Sequence, residues 1–254
     1  MEVPENMMDM LNLDGEDGRE LAKDMFVAAC ANRDVQTASW LRTQFEFGPS
    51  DGCFGDALSV AAAGGDTATM EWLVDAGITA ELGYVKSALM NACKEGNKAG
   101  AKWILDRFEY TEKDIDVASA VKVAYFGNTR PPLDIVKVLL DHFKPTVSES
   151  GAAEILCDAC ARTIKGVVRL LLYRYPELTA TDARAKEAFI QACIYGDIEC
   201  LEFLMETFKM TADDADATKA LHMARREENT DAVNWIIDTF DVVVRDRVDG
   251  GSRG

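Results

Sequence analysis

One pattern of apolar positions recurs seven times along the chain. Each copy centres on an alanine, with successive spacings of 32, 31, 32, 35, 33 and 32 residues: Ala29, Ala61, Ala92, Ala124, Ala159, Ala192 and Ala224. An apolar residue lies three positions before each alanine. A bulky apolar residue follows eleven positions after it, once three extra residues in the fourth copy are allowed for. This spacing predicts two antiparallel helices per copy, and a period near 33 residues predicts a helical solenoid.

The predicted fold is therefore all-α, a curved solenoid of about seven repeats over residues 21–244. Residues 1–20 form an acidic, methionine-containing leader that either covers the first repeat or docks a partner. Residues 245–254 are expected to be a disordered tail. All four tryptophans occupy the position eleven residues after an alanine and are expected to be largely buried: Trp40, Trp72, Trp103 and Trp235.

The repeat is clearest in AFIQACIYGDIECLEFLMETFKMT, where Ala192 and Cys193 mark the first helix, Gly196-Asp197 the turn and Leu201 the second helix. This unit resembles the ankyrin repeat, whose helical core has the form A-A-x-x-G-H-x-E-V-V-x-L-L-L. Similar divergent arrays occur in protists and large DNA viruses. The resemblance implies stacked helix pairs and a non-enzymatic, protein-binding role. The usual T-P-L-H opening, however, survives only as Leu221-His222.

The glycine that normally follows the second ankyrin helix survives only as Gly77. Without glycine a left-handed residue is disfavoured there, so long β-hairpin fingers are not expected. Several connectors instead place a threonine three residues before an acid: Thr111–Asp114, Thr146–Glu149, Thr179–Asp182 and Thr211–Asp214. This spacing is typical of a capping box, and it predicts short helical turns in place of the fingers. Residues 128–132 lengthen one turn and are expected to be a surface insertion.

Composition narrows the possible functions. A net charge of −17 argues against non-specific nucleic-acid binding, because phosphates would be repelled. No apolar run is long enough to predict a membrane span. Seven cysteines without a secretory signal predict reduced thiols in the cytoplasm or another reducing intracellular compartment. Four of them directly follow a repeat alanine and should pack as small apolar residues: Cys30, Cys93, Cys160 and Cys193.

No chemistry-bearing cluster emerges from the sequence. Cys157 and Cys160 have a spacing found in zinc sites, but no second pair matches it. The two histidines, His142 and His222, both fall at repeat positions, so no nucleophile has a base predicted beside it. We therefore expect no metal, no cofactor and no enzymatic activity.

The predicted function is protein binding, as an adaptor or scaffold that presents a rigid concave face lined by the first helices. The candidate contact residues flank the repeat alanines on the predicted solvent side: Asn91, Lys94, Glu95, Phe126, Asp158, Arg162, Gln191, Tyr195, Arg226 and Glu227. Phe126 and Tyr195 are the strongest candidates, because an aromatic side chain on a wet face is a typical interface anchor. Two alternatives stay open, a structural component of a larger assembly and a regulatory subunit of an enzyme.

A basic segment interrupts the acidic chain. Residues 151–186 carry six basic and four acidic side chains. Either the basic residues form ion pairs with acids of the neighbouring repeats, or they form a docking patch for an acidic partner. The first interpretation is favoured, since a charged face that pairs with its neighbours needs no partner.

Overall fold

The structure, a computed structural model, describes residues 15–79, 83–127, 133–178, 183–213 and 215–240. It divides into an N-terminal unit, up to residue 145, and a C-terminal unit from residue 146. The helices of the N-terminal unit are α1 (Gly15–Ala31), α2 (Val35–Gln44), α3 (Gly52–Gly64), α4 (Thr67–Asp75), α5 (Tyr84–Lys94), α6 (Lys98–Phe108), α7 (Val117–Phe126) and α8 (Leu133–Phe143). Those of the C-terminal unit are α9 (Val147–Ser150), α10 (Ala152–Ala161), α11 (Lys165–Arg174), α12 (Ala183–Tyr195), α13 (Ile198–Phe208), α14 (Ala217–Arg226) and α15 (Thr230–Phe240).

Seven helix pairs make up the repeats, four in the N-terminal unit and three in the C-terminal unit. Within each unit the first helix of a repeat packs against its own second helix and against the first helix of the next repeat. The second helices form the other layer. The all-helical repeat architecture predicted from the sequence is thus confirmed over the described residues, among which no strand occurs.

The core is built from the positions that define the repeat. All seven repeat alanines are buried, as is the apolar residue three positions before each of them. The third partner is a leucine or isoleucine twelve positions after the alanine, or fifteen in the fourth repeat. It is fully buried in every repeat: Leu41, Leu73, Ile104, Leu139, Leu171, Leu204 and Ile236. These residues lie at the contact between the two helices of each repeat.

The tryptophans are less buried than their size suggested. The sequence predicts that Trp40, Trp72, Trp103 and Trp235 are largely buried, and each is half-buried: none is exposed and none is fully buried. Neighbouring residues on a helix point about 100° apart. Because the next residue points at the first helix, each tryptophan lies on the flank of the second helix. Two of these tryptophans contact the preceding repeat, with Trp72 6.2 Å from the Phe26 ring and Trp235 6.2 Å from the Phe189 ring.

The turn between the paired helices is nearly the same in each repeat. In six repeats the repeat alanine's carbonyl accepts the amide of the residue five positions later, as Ala92 does from Asn97 at 2.8 Å. The intervening left-handed residue is glycine in three of these turns, for example Gly96 with φ of 71°. The corresponding residues of the fourth repeat lie outside the described part. This is a Schellman-type helix end.

The residue that closes each turn also starts the second helix. In five repeats it is aspartate or asparagine, and its side chain accepts the amide three positions later: Asp34, Asp66, Asn97, Asp197 and Asn229. Such an N-cap satisfies one of the helix's free amides and is worth about 1 kcal/mol. The end of the first helix and the start of the second are therefore held by one short, hydrogen-bonded segment.

At the ends of the second helices, the aromatic residue that stands in place of the usual glycine is not left-handed, as expected, but the residue after it often is. A left-handed residue does occur there without glycine, one position after the aromatic: Glu46, Glu109, Lys144 and Lys209. The aromatic keeps a negative φ at Phe45, and the chain reverses at the exposed residue that follows. A buried apolar residue comes next, as at Phe47, whose amide donates to the Arg42 carbonyl at 3.0 Å. Burial of that residue offsets a left-handed strain of about 1–2 kcal/mol.

The predicted capping box is present in the connector before the fifth repeat. The Thr146 hydroxyl accepts the Glu149 amide, and the Glu149 carboxylate accepts the Thr146 amide at 2.9 Å, at the start of α9. Thr111 and Asp114 make the second of these two hydrogen bonds, in which the Thr111 amide donates to the Asp114 carboxylate at 2.9 Å. They lie in a turn rather than in a helix. The acid of the Thr211 connector and all of residues 179–182 lie outside the described part, as do residues 1–14, 128–132 and 241–254.

Candidate functional site

The candidate contact residues all lie near the end of a first helix or just after it. Asp158 and Gln191 are half-buried and the other eight are exposed. They lie next to the turn between the two helices, whose backbone is fixed by the hydrogen bond to the repeat alanine's carbonyl and by the N-cap of the second helix. These positions therefore present side chains from a fixed backbone, and we call them the first-helix surface.

In the N-terminal unit this surface includes the ends of α5 and α7. Their backbones approach closely, since a Cβ atom on Gly127 would lie 2.8 Å from the Lys94 carbonyl oxygen. Asn91, Lys94 and Glu95 therefore neighbour Phe126 across the contact between two repeats. Phe126 is 45% exposed, and its ring packs edge-on against buried Tyr125 at 4.8 Å.

In the C-terminal unit the surface is mostly charged. Arg162 pairs with Asp158 at 3.5 Å within α10 and its cap, and Arg226 pairs with Glu227 at 2.9 Å. Gln191 donates to the Glu187 carboxylate at 2.9 Å. Tyr195, at the end of α12, is the aromatic exception and is 57% exposed.

Sequence analysis missed one exposed aromatic residue. Tyr173, on second helix α11, is 89% exposed, more than any other large apolar side chain in the described residues. The equivalent repeat position is elsewhere threonine or an acid: Thr43, Asp75, Asp106, Asp141, Glu206 and Asp238. Aligning the repeats position by position would have marked Tyr173 as the exception.

Two of the six basic side chains in residues 151–186 pair with an acid of a neighbouring repeat, so the favoured interpretation is confirmed only for these two. Lys165 and Arg169 both bind the Glu199 carboxylate of the sixth repeat, the arginine at 2.9 Å. Arg169 also covers the Phe203 ring at 5.5 Å. Arg162 pairs within its own repeat, and Arg174 lies over the Tyr175 ring at 5.7 Å instead of meeting an acid. This arrangement favours a structural role for Lys165 and Arg169 over a docking patch.

The thiols are free and mostly buried. Burial raises the pKa of Cys30 and of Cys93 to about 12 and raises the pKa of Cys193 further. The repeat-position cysteines thus pack as apolar residues, as predicted. Over the described residues, no group of three or more His, Cys, Asp or Glu side chains is arranged to hold a metal ion.

A groove of about 840 Å³ lies between α6 and α8, on the side of the second helices. Its walls carry lysines and aspartates, and these neutralise one another: Lys98 lies 3.7 Å from Asp134, and Lys102 lies 2.6 Å from Asp106. His142, also on the wall, contacts the Tyr110 carbonyl oxygen through Nε2 at 3.0 Å. These two pairs occupy four of the charged side chains on the groove walls.

Comparison with known proteins agrees with this geometry. Residues 156–246 match the family model for ankyrin repeats, in three copies, over the stretch that holds the last three helix pairs. No curated protein matches the chain. Ankyrin repeats generally mediate protein–protein interactions, and the family is typically non-enzymatic. Among the described helices, none combines the length and hydropathy needed to cross a bilayer. The family match and the helix pairs lead to one conclusion, that residues 156–246 are similar to ankyrin repeats and that the described helix pairs before them follow the same pattern.

Proposed function

We propose that the protein is an adaptor or scaffold whose first-helix surface binds a protein partner. The observation that carries this proposal is Tyr195, a large aromatic side chain more than half exposed at the end of α12. Tyrosine is enriched among residues that contribute most to binding, because it buries a large area at a small entropic cost. Phe126, one repeat position earlier, is the exposed aromatic residue at the end of a first helix in the described part of the N-terminal unit.

The backbone under these residues favours binding without rearrangement. The amide of Asp197, two residues after Tyr195, donates to the Ala192 carbonyl at 3.1 Å, and its side chain caps α13. A surface that is ordered before binding loses less conformational entropy when the partner arrives. The neighbouring charged pairs would then form a polar rim around an aromatic centre.

A reducing intracellular compartment such as the cytoplasm fits this role. The chain carries seven free thiols, and unpaired cysteines are typical of proteins kept in such surroundings. The acidic surface, with a net charge of −17, favours a protein partner over nucleic acid.

The test compares two exposed tyrosines on different helix layers. Full-length protein, Tyr195→Ala and Tyr173→Ala would each be used to capture partners from extracts of the cells that make the protein. Both side chains are exposed, so neither replacement should lower the melting temperature much. We expect Tyr195→Ala to lose a captured protein that Tyr173→Ala retains. Retention by Tyr195→Ala with loss by Tyr173→Ala would move the binding surface to the second helices and refute the proposal.

Phe126→Ala extends the same comparison to the N-terminal unit. Loss of the same captured protein would assign both units to one partner, whereas loss of a different protein would indicate separate surfaces. A chain that captures nothing and instead forms regular multimers, disrupted by Tyr195→Ala, would favour a structural component over an adaptor.

A further inference from the structure

Two buried thiols from adjacent repeats lie side by side in the C-terminal unit. Cys160 is in the last turn of α10, and Cys200 is in the first turn of α13 in the next repeat. Their sulfur atoms are 3.4 Å apart, and their side chains are 0% and 3% exposed. A disulfide has an S–S distance of about 2.05 Å, so bond formation requires an approach of roughly 1.4 Å.

The closeness of these two positions is a property of the repeat. Each cysteine has an equivalent in the N-terminal unit, Ala62 for Cys160 and Gly100 for Cys200. A Cβ atom added to Gly100 would lie only 2.1 Å from the Ala62 carbonyl oxygen. The residue after one repeat alanine and the residue eight positions after the next alanine are therefore brought together by the packing of adjacent repeats.

Only one such pair within either unit combines two cysteines. The other equivalent pairs combine a cysteine with another residue, or two residues without thiols: Cys30 with Thr69, Ala62 with Gly100, Cys93 with Ile135, and Cys193 with Ala232. The thiol pair is thus a departure from the repeat at a position where the fold already enforces contact.

The surroundings give the two cysteines different access to solvent. Cys200 lies at the edge of a narrow crevice lined by Lys165, Arg169 and Phe203. Its amide donates to the Asp197 carboxylate at 3.2 Å, which fixes the start of α13. The hydrogen bond with Cys200, followed by burial, raises the pKa of the Cys160 thiol, so Cys160 stays protonated until a neighbouring sulfur reacts. Cys200, 3% exposed against 0% for Cys160, is therefore the more accessible of the two sulfurs.

We propose that hydrogen peroxide converts Cys160 and Cys200 into a reversible disulfide that joins the fifth and sixth repeats. The Cys200 sulfur attacks one peroxide oxygen, the O–O bond breaks, and a sulfenic acid and one water result. The Cys160 sulfur then attacks the Cys200 sulfur, the S–O bond breaks, and the thiol proton leaves with the hydroxyl as a second water. The two thiols lose two electrons, and the peroxide gains them. A dithiol reductant reverses the bond by thiol–disulfide exchange.

The new bond would connect the end of α10 to the start of α13. Arg162 follows Cys160 by two residues, and Tyr195 lies in the segment that leads to Cys200, so the disulfide would join two parts of the first-helix surface. The existence of the disulfide is independent of whether that surface binds a partner. Oxidation should slow amide hydrogen exchange in both turns.

Disulfide mapping of the whole protein tests this inference. Reduced protein would be exposed to hydrogen peroxide below one equivalent, unfolded with an alkylating agent, and cleaved at aspartate. Asp158 separates Cys157 from Cys160, and Asp197 separates Cys193 from Cys200, so each thiol falls on its own peptide. We expect a Cys160–Cys200 link that a dithiol removes, with the other five cysteines alkylated. Alkylation of both cysteines, or a link through Cys157 or Cys193 instead, would overturn the proposal.

Alanine variants provide matched controls, because alanine occupies the equivalent positions at Ala62 and Ala232. Cys160→Ala and Cys200→Ala should each abolish the link and the slowed exchange, while Cys193→Ala should keep both. Ala232→Cys places a thiol in the same relation to Cys193 and should create a second link between the sixth and seventh repeats. Failure of that link to form would show that the repeat packing does not set the geometry.

Discussion

The contact between adjacent repeats can be tested most directly at Gly100, in the first turn of α6. A methyl group there would meet the Ala62 carbonyl oxygen at 2.1 Å and the Ala62 carbonyl carbon at 2.9 Å. A close C···O contact is about 3.3 Å, so α6 and α3 would have to separate by roughly 1 Å. The obstacle is backbone, which cannot rotate away as a flexible side chain would.

The expected cost follows from two opposing terms. Overpacking of this kind costs about 1–3 kcal/mol, because a gap of 0.5–1 Å forfeits about a quarter to a half of each dispersion contact along the interface. Replacing glycine by alanine inside a helix regains up to about 1 kcal/mol of intrinsic helix preference. Gly100→Ala should therefore destabilise the protein by about 1–2 kcal/mol.

Gly64→Ala is the matched control. Gly64 is the last residue of α3, and a Cβ atom there would have no neighbour within 4 Å. Only the helix-preference term remains, so this change should be neutral or stabilise by up to about 1 kcal/mol.

Urea and thermal unfolding followed by circular dichroism would compare the two variants. A loss of 1–2 kcal/mol should lower Tm by roughly 2–8 °C in a chain of this size. Since arrays of repeats can unfold in stages, the midpoints of the first transition are the quantities to compare. The opposite signs of the two changes are decisive. If Gly100→Ala is as stable as Gly64→Ala, the close approach between the repeats is not real.

Three further changes test other parts of the fold. Ile104→Ala should lower the free energy of unfolding by about 2–5 kcal/mol, and by more than Trp103→Ala, because only the isoleucine is fully buried. If Trp103 rather than Ile104 faced the first helix, unfolding in urea would show the reverse order. Thr146→Ala should cost about 1 kcal/mol by removing the capping box, and no change in Tm would contradict that role. Hydrogen bonds with Thr37 lower the pKa of Asp34 in the folded protein. The contribution of Asp34 to the free energy of unfolding is therefore complete above the ordinary aspartate pKa of about 3.9, and it is lost as the pH falls through the lower folded-state pKa. Asp34→Asn keeps a capping acceptor that does not titrate, so wild type should lose stability relative to this variant as the pH falls below about 4, and a pH-independent difference would exclude the linkage.

The helix pairs and most of the core were predictable because the signals are local. A helix buries one face, and residues three and four apart share that face, so the alanine-centred pattern identifies it without knowledge of the neighbours. Ala192 and Phe189 show this in the sixth repeat, where both are fully buried.

The tryptophans show where local signals stop. Hydrophobicity ranks Trp103 above Ile104, yet the packing angle between two helices decides which of two adjacent residues points inward. Uniformity among the repeats is the better guide, since the deeper position is leucine or isoleucine in all seven while its neighbour ranges from valine to tryptophan. A position that must fill one gap between helix pairs tolerates one shape.

The ends of the second helices could not be predicted for a related reason. The missing glycine indicated that no left-handed residue would follow, because the cost falls on side chains with a Cβ atom. The structure shows left-handed residues at Glu109 and Lys209 in spite of this cost. The residue after each of them, Tyr110 or Met210, is buried. The burial of that residue depends on tertiary packing, which a single connector does not reveal.

The candidate sites lie where a repeat departs from its siblings at a position whose surroundings the fold already sets. Tyr195 stands at an exposed helix end where the other repeats have glycine or a polar or charged residue, and Tyr173 stands on an exposed helix face where they have threonine or an acid. Cys200 stands at a forced contact where the other repeats have threonine, glycine, alanine, isoleucine or valine. The residues that the repeats share already make the contacts of the stacked core. Residues that differ from repeat to repeat are therefore not fixed by core packing. Partner choice and redox response should therefore change through substitutions at these positions, and the helix pairs themselves should fold as before.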